Sequence, residues 1–174
     1  VKWGMSEGSI DPNVIAFIRY RPELLFDFDK DSVAWASPRT WESVSDIVKA
    51  DSKGMVVNSQ DQSLIGGTVG DSVAIEFCAF MGMVNTLPDV SAIIKNPETY
   101  EISDDPSVLY ALTGALARRS DATNFDAIIT YMTRDEMSNE FAVLCINDAI
   151  TVNPKLAKTK AYVDFMGKYQ HIMS

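Results

Sequence analysis

From residue 11 almost to its end, this chain repeats apolar side chains at spacings of three and four, and strictly alternating runs are almost absent. Spacings of three and four place side chains on one face of an α-helix, whereas a half-buried strand requires a period of two. That single feature predicts an all-α fold. The first helix is marked by Asp11-Pro12: the carboxylate is a good N-cap, and proline suits a first helical position that needs no N–H. Val14, Ile15, Phe17 and Ile18 supply its apolar face. Pro22 breaks this helix or opens a short second one through Leu25. Residues 26–35 (FDFDKDSVAW) read as a loop with aromatic anchors, and residues 1–9 as a glycine-interrupted lead with Trp3 and Met5 as its candidate anchors.

The next helix start, Ala36-Ser37-Pro38-Arg39-Thr40-Trp41-Glu42, carries the one local anomaly. Ser37 is a suitable N-cap and Pro38 a suitable first residue. Trp41, Val44, Ile47 and Val48 then share a face opposite Glu42, Ser45, Asp46 and Lys49. Arg39 is a cation in the first turn, where the helix dipole opposes it by about 0.3–1 kcal/mol. Two readings follow. In one, Arg39 packs its stem on Trp41 and leaves its head in water. In the other, guanidinium, dipole and free N–H groups together receive a phosphate.

Farther along, Asp51-Ser52-Lys53-Gly54 ends the helix in turn chemistry, and Met55–Val57 is a short apolar segment of either type. Gly66, Gly67 and Gly70 read as a turn leading into a helix over Asp71–Val84. A brief helix over Asp89–Ile94 ends at Asn96-Pro97, and residues 98–106 form a connection. Helices follow near Pro106–Arg119, Asn124–Thr133, Asp135–Ile150 and residues 155–173, with no convincing internal repeat. The predicted organisation is a helical bundle over residues 1–60, then a helical C-terminal extension over 61–174.

At 174 residues and 47% hydrophobic content, the chain can bury a substantial core. Its net charge of −9 argues against general nucleic-acid binding. No apolar run approaches the ~20 residues that span a bilayer, and no signal peptide is visible, so the expected protein is soluble and cytoplasmic. Cys78 and Cys145 sit in helical apolar patterns and read as reduced core residues.

Candidate chemistry elsewhere fails on its own terms. Asp27-x-Asp29-x-Asp31 is similar to the start of an EF-hand loop, but Ser32 and Pro38 stand where that loop needs its glycine and its bidentate glutamate. In Gly66–Asp71 an aspartate stands where a phosphate would want a cation. His171, the only histidine, has no ligand partner at metal spacing, so neither a metal site nor a histidine-dependent nucleophile is expected. The Arg118-Arg119 pair ends a helix, where cations suit the dipole.

Ala36-Ser37-Pro38-Arg39 with its helix resembles the sensor-2 segment of MoxR-type AAA+ ATPases. The run Asp11–Leu25 (DPNVIAFIRYRPELL) resembles the start of the helical lid in a phage and bacterial branch of that family. Trp35, Trp41-Glu42 and the segment Gly66–Phe80 (GGTVGDSVAIEFCAF) fit the same branch. The similarity extends over roughly residues 10–97. It implies an AAA+ lid-like bundle in which Arg39 is the nucleotide-sensing arginine, supported by Ser37, Pro38 and Trp41 at the helix start. It further implies ATP and Mg²⁺ as cofactors of the full-length protein only, with the chain's own AAA+ core domain and neighbouring ring subunits as partners. A von Willebrand A-type protein is the remodelled partner typical of the family. No G-x-x-x-x-G-K-[ST] phosphate loop occurs here, so the chain alone is expected to be inactive. A chain that opens on Val1 is also expected to be a piece of a longer protein. The alternative reading is a free-standing acidic helical adaptor or phage protein-interaction module.

Overall fold

The computed structural model describes residues 10–28, 30, 32–50, 59–84 and 87–173. Among these the protein is all-α, with nine α-helices, two 3-10 helices and no strand. The nearest approach to a sheet is one antiparallel bridge between Asp27 and Ala36. Two compact units divide at Leu87/Pro88.

The first unit holds α1 (Pro12–Tyr20), a 3-10 helix (Pro22–Leu25), α2 (Pro38–Ala50), α3 (Ser59–Val69) and α4 (Asp71–Val84). The Asp11 carboxylate caps α1 by accepting from the Asn13 N–H at 2.8 Å. The Asp11 N–H donates to the Ser45 hydroxyl at 2.7 Å, which ties the start of α1 to α2. Ser45, expected on the polar face of α2, is fully buried, and this bond satisfies its hydroxyl there. At the centre, Phe17 meets Trp41, Phe77 and Phe80 at centroid distances of 5.6, 5.2 and 5.4 Å. Tilted and edge-on pairs of this kind add to the burial of each ring.

Gly66 and Gly67 lie inside α3 rather than in a turn, and the chain reverses at Gly70 alone. Gly70 has φ of +96°, a left-handed conformation that favours glycine, and a Cβ there would stand 3.3 Å from the Ala34 carbonyl oxygen. Its N–H closes α3 on the Gly66 carbonyl and its own carbonyl opens α4 from the Ala74 N–H, both at 2.9 Å. The sequence reading divides the chain after residue 60. In the structure α3 packs on both α2 and α4, so the first unit continues through α4. Trp3, Met5, residues 51–54 and Met55–Val57 lie outside the described residues.

The second unit holds α5 (Val90–Lys95), α6 (Pro106–Arg119), α7 (Phe125–Met132), α8 (Asn139–Val152), a 3-10 helix (Pro154–Lys158) and α9 (Lys160–Met173). Asp89 and Asp105 cap α5 and α6, accepting from the Ser91 and Ser107 N–H groups at 2.8 and 2.9 Å. α6 packs along α8, and Leu112, Leu116, Phe125, Ile128, Tyr131 and Ile146 are buried in this unit.

Two boundaries differ from the sequence reading. The helix expected from Asp135 starts at Asn139, because Ser138 supplies the cap for the Glu140 N–H at 3.3 Å. Residues 134–137 form a turn, closed by Met137 N–H on the Arg134 carbonyl at 3.0 Å. The pattern over 155–173 is interrupted at Thr159, whose hydroxyl accepts from the Tyr162 N–H and caps α9.

Candidate functional site

The start of α2 is built by a reciprocal cap. The Ser37 hydroxyl accepts from the Thr40 N–H at 3.3 Å, while the Thr40 hydroxyl accepts from the Ser37 N–H at 2.8 Å. This is the capping-box arrangement with threonine in the place usual for glutamate or glutamine, which is why the motif is not evident in the sequence. The Thr40 Oγ1 also lies 3.2 Å from the Trp35 carbonyl oxygen, joining the helix to the chain that enters it. Ala36 and Trp41 occupy the two staple positions on either side of the cap, and both are buried.

Trp41 holds the helix down. It is 3% exposed, stands 5.6 Å from both Phe17 and Phe77, and donates from Nε1 to the Leu24 carbonyl at 2.7 Å. A single side chain therefore joins α2 to α1, α4 and the 3-10 helix.

Arg39, between these anchors, is exposed. Its guanidinium makes no hydrogen bond or ion pair with the described residues; the Arg39 carbonyl accepts from Ser43 Oγ at 3.5 Å. Pro38 carries no N–H and the Thr40 N–H is taken by Ser37, so Arg39 supplies the open donors of this first turn. The Arg39 side chain is thus exposed in the first turn of α2, at the positive end of the helix dipole. The sequence-predicted group Ser37, Pro38, Arg39 and Trp41 is brought together as cap, first turn, cation and anchor.

Two other arginines are engaged within the fold, whereas the exposed Arg119, like Arg39, makes no side-chain hydrogen bond or ion pair with the described residues. Arg21 bonds Glu23 at 2.5 Å through Nε and Glu76 through Nη1, linking the end of α1 to α4. The Glu23 hydrogen bond, ahead of the charge of Glu76, raises its pKa. Arg134 donates through Nη1 to the Tyr100 carbonyl and through Nη2 to Glu136 at 3.1 Å. A cleft of about 700 Å³ in the second unit includes Arg134, Asp135, Ser138, Asn139, Lys168 and Tyr169. With Arg134 already bonded, Ser138 serving as a cap and a carboxylate in the lining, it does not form a second convergent cationic site.

Sequence reasoning missed the presentation of the loop before α2. Phe26, Phe28 and Val33 are exposed there, and Phe28 lies edge-on to Trp35 at 5.2 Å. The expected aromatic anchors Phe26 and Phe28 do not enter the core. The alternation of bulky rings and aspartates over 26–29 was the available signal.

Among the described residues no cluster of three or more His, Cys, Asp or Glu is arranged to hold a metal ion. No described helix is long and apolar enough to cross a membrane. Asp29 and Asp31 of the EF-hand-like segment lie outside the described residues, as does the side chain of His171. Comparison of the chain with protein-family models, curated proteins and solved structures gives no match.

Proposed function

We propose that this chain is the lid and C-terminal helical part of a ring-forming AAA+ ATPase of MoxR type, with Arg39 sensing the nucleotide state. The observation that carries the reading is the exposed guanidinium of Arg39 at the start of a helix that is capped by Ser37 and Thr40 and anchored by Trp41. A charge-assisted contact from that position to a terminal phosphate would stabilise charge developing on it and couple phosphate loss to the angle of α2. ATP and Mg²⁺ would be held by the core domain, since this chain has no phosphate-loop motif. The partners in this reading are that core, neighbouring ring subunits and a remodelled protein, of von Willebrand A type by family precedent. A cytoplasmic location belongs to the same reading, and nucleic acid and membrane have no part in it.

The reading requires a phosphate-loop ATPase core encoded in frame before residue 1, and a gene without one overturns it. In the protein that carries the core, Arg39→Ala lowers ATP turnover at least tenfold while leaving the melting temperature unchanged. Unchanged turnover per folded molecule refutes the sensor role.

A second reading, a free-standing acidic adaptor, is favoured by the exposed rings of Phe26 and Phe28 beside a net charge of −9. It requires no ATPase core and leaves Arg39 without a special role.

A further inference from the structure

The chain is acidic as a whole, yet from Ala149 to Val163 it carries three lysines and no carboxylate. This run covers the end of α8, the 3-10 helix Pro154–Lys158 and the start of α9. Lys155, Lys158 and Lys160 are all exposed. None of them makes a hydrogen bond or ion pair with the described residues, although acids outnumber bases by 24 to 15 in the sequence. Elsewhere Arg21, Lys49 and Arg134 each find a carboxylate. The acids that flank the run do not neutralise it. Asp148 is buried, and Asp164, one turn beyond Lys160 on α9, forms no ion pair with it.

The backbone under these lysines is tied at each step. The Asn153 N–H closes α8 on the Ala149 carbonyl at 2.8 Å, and the buried Leu156 seats the 3-10 helix, which packs on both α8 and α9. The Leu156 carbonyl accepts from the Thr159 N–H at 3.0 Å and from its hydroxyl at 2.7 Å. That hydroxyl in turn accepts from the Tyr162 N–H at 3.3 Å and caps α9. In a 3-10 helix residues three apart eclipse, with a rise of about 2 Å per residue, so Lys155 and Lys158 share one face about 6 Å apart. Lys160 follows two residues on, its Cα within about 7 Å of that of Lys158. It stands in the first turn of α9, where the helix dipole favours an anion over a cation. Val163, three residues farther and therefore beside Lys160 on the helix surface, is 60% exposed.

Charge and extent select what can cover this surface. Its cations call for an anion, and the run is short. A long nucleic acid or an acidic membrane leaflet would reach past it onto a protein of net charge −9 and be repelled there. A second copy of the chain brings the same net charge and meets the same repulsion. A short acidic segment escapes it, because at about 0.15 M salt exposed charges farther apart than about 8 Å are largely screened from one another. Residues four apart on an α-helix lie about 6 Å apart along its axis, which is the spacing of the lysine pair.

We infer that the Lys155–Val163 elbow is a docking surface for an acidic helical segment of a partner protein. Carboxylates one turn apart on that segment pair with Lys155 and Lys158, a further acid meets Lys160, and an apolar side chain covers Val163. The inference is independent of the ATPase reading and of any role for Arg39.

The probe is a labelled alanine-rich helix of about five turns, with glutamates four residues apart and leucines beside them; the control has glutamine in place of glutamate. Fluorescence anisotropy with the full chain at about 0.15 M salt should give saturable binding of the glutamate helix and at least tenfold weaker binding of the control. Lys155→Glu/Lys158→Glu should weaken the glutamate helix at least tenfold without changing the helical circular dichroism, because both side chains are exposed. Lys155→Arg/Lys158→Arg, which keeps the charge, should bind within about twofold of wild type, since exposed pairs depend on charge more than on the identity of the cation. Val163→Ser, which keeps all three lysines, should weaken binding several-fold and tests the apolar element separately. Binding that survives the double glutamate variant lies elsewhere on the chain and overturns the proposal. Full affinity in Val163→Ser overturns it as well, by reducing the surface to charge attraction. So does the absence of binding up to about 1 mM probe, the weak end of measurable association. Lysine-dependent dimerisation in sedimentation, or lysine-dependent binding to phosphatidylserine vesicles or to a single-stranded DNA, would assign the surface to a second copy, a membrane or a nucleic acid and equally overturn it.

Discussion

Replacing Trp41 tests the central structural argument, because two variants divide its contributions. Trp41→Phe retains an aromatic ring between Phe17 and Phe77 but removes the indole N–H that donates to the Leu24 carbonyl at 2.7 Å. That carbonyl is then left without its buried donor, a loss of about 1–3 kcal/mol. Trp41→Ala removes the bond and also opens a cavity under a side chain that is 3% exposed, for a loss of about 3–5 kcal/mol. The ordering is therefore wild type, then phenylalanine, then alanine. Urea unfolding followed by the helical far-UV signal is the assay. With a denaturant slope of about 2 kcal/mol/M, the alanine variant should shift the midpoint by roughly 2 M and the phenylalanine variant by roughly 0.5–1.5 M. Amide exchange in α2 should accelerate in the same order, since local opening follows local stability. A phenylalanine variant as stable as wild type would show that the bond to Leu24 contributes nothing. An alanine variant shifted by less than ~0.5 M would refute the assignment of Trp41 as the anchor of this unit.

Two further outcomes follow from local electrostatics. Hydrogen bonds from the Ser107 hydroxyl and N–H hold the Asp105 carboxyl below its ordinary pKa. A depressed carboxylate stabilises the fold above its unfolded pKa, and that contribution is lost as pH falls through the folded value. Asp105→Ala should cost about 0.5–2 kcal/mol near neutrality as a lost cap, and melting curves should show the difference from wild type closing below about pH 4; a constant difference down to pH 2 would contradict this. Burial, reinforced by Asp148, pushes the Cys145 thiol far up, whereas Cys78 is only partly buried and is raised by burial and Asp61. Maleimide labelling read by mass spectrometry should modify Cys78 first and reach Cys145 only on unfolding; native labelling of both at one rate would sink the assignment.

Fold class and most helix starts were legible in the sequence because their causes are local. Period-3.6 apolar spacing, Asp11-Pro12, Ser37-Pro38, Asp89 and Asp105-Pro106 each act within one turn of chain, and each opens a helix where the residues indicate. The Arg118-Arg119 end of α6 is legible for the same reason. Gly66 and Gly67 misled because a glycine pair marks a turn in isolation, while packing of α3 against α2 and α4 keeps them helical. Asp135-Glu136 misled because acids suit a first turn, yet Ser138 holds the capping bond.

For the candidate site, the sequence alone determined that a cation stands in the first turn of a serine-capped, proline-led helix. It could not determine whether that cation is spent inside the fold. Arg21, Arg39 and Arg134 are equally charged in a string of letters. Only the tertiary structure brings Glu76 to Arg21 and the Tyr100 carbonyl to Arg134, and leaves the Arg39 guanidinium without a partner among the described residues. The same holds for the rings of Phe26 and Phe28, whose hydrophobicity predicted burial. The bridge from Asp27 to Ala36 turns the small residue inward and the rings outward. Local propensity acts over a few residues, whereas the partner of a long side chain is chosen by contacts tens of residues away.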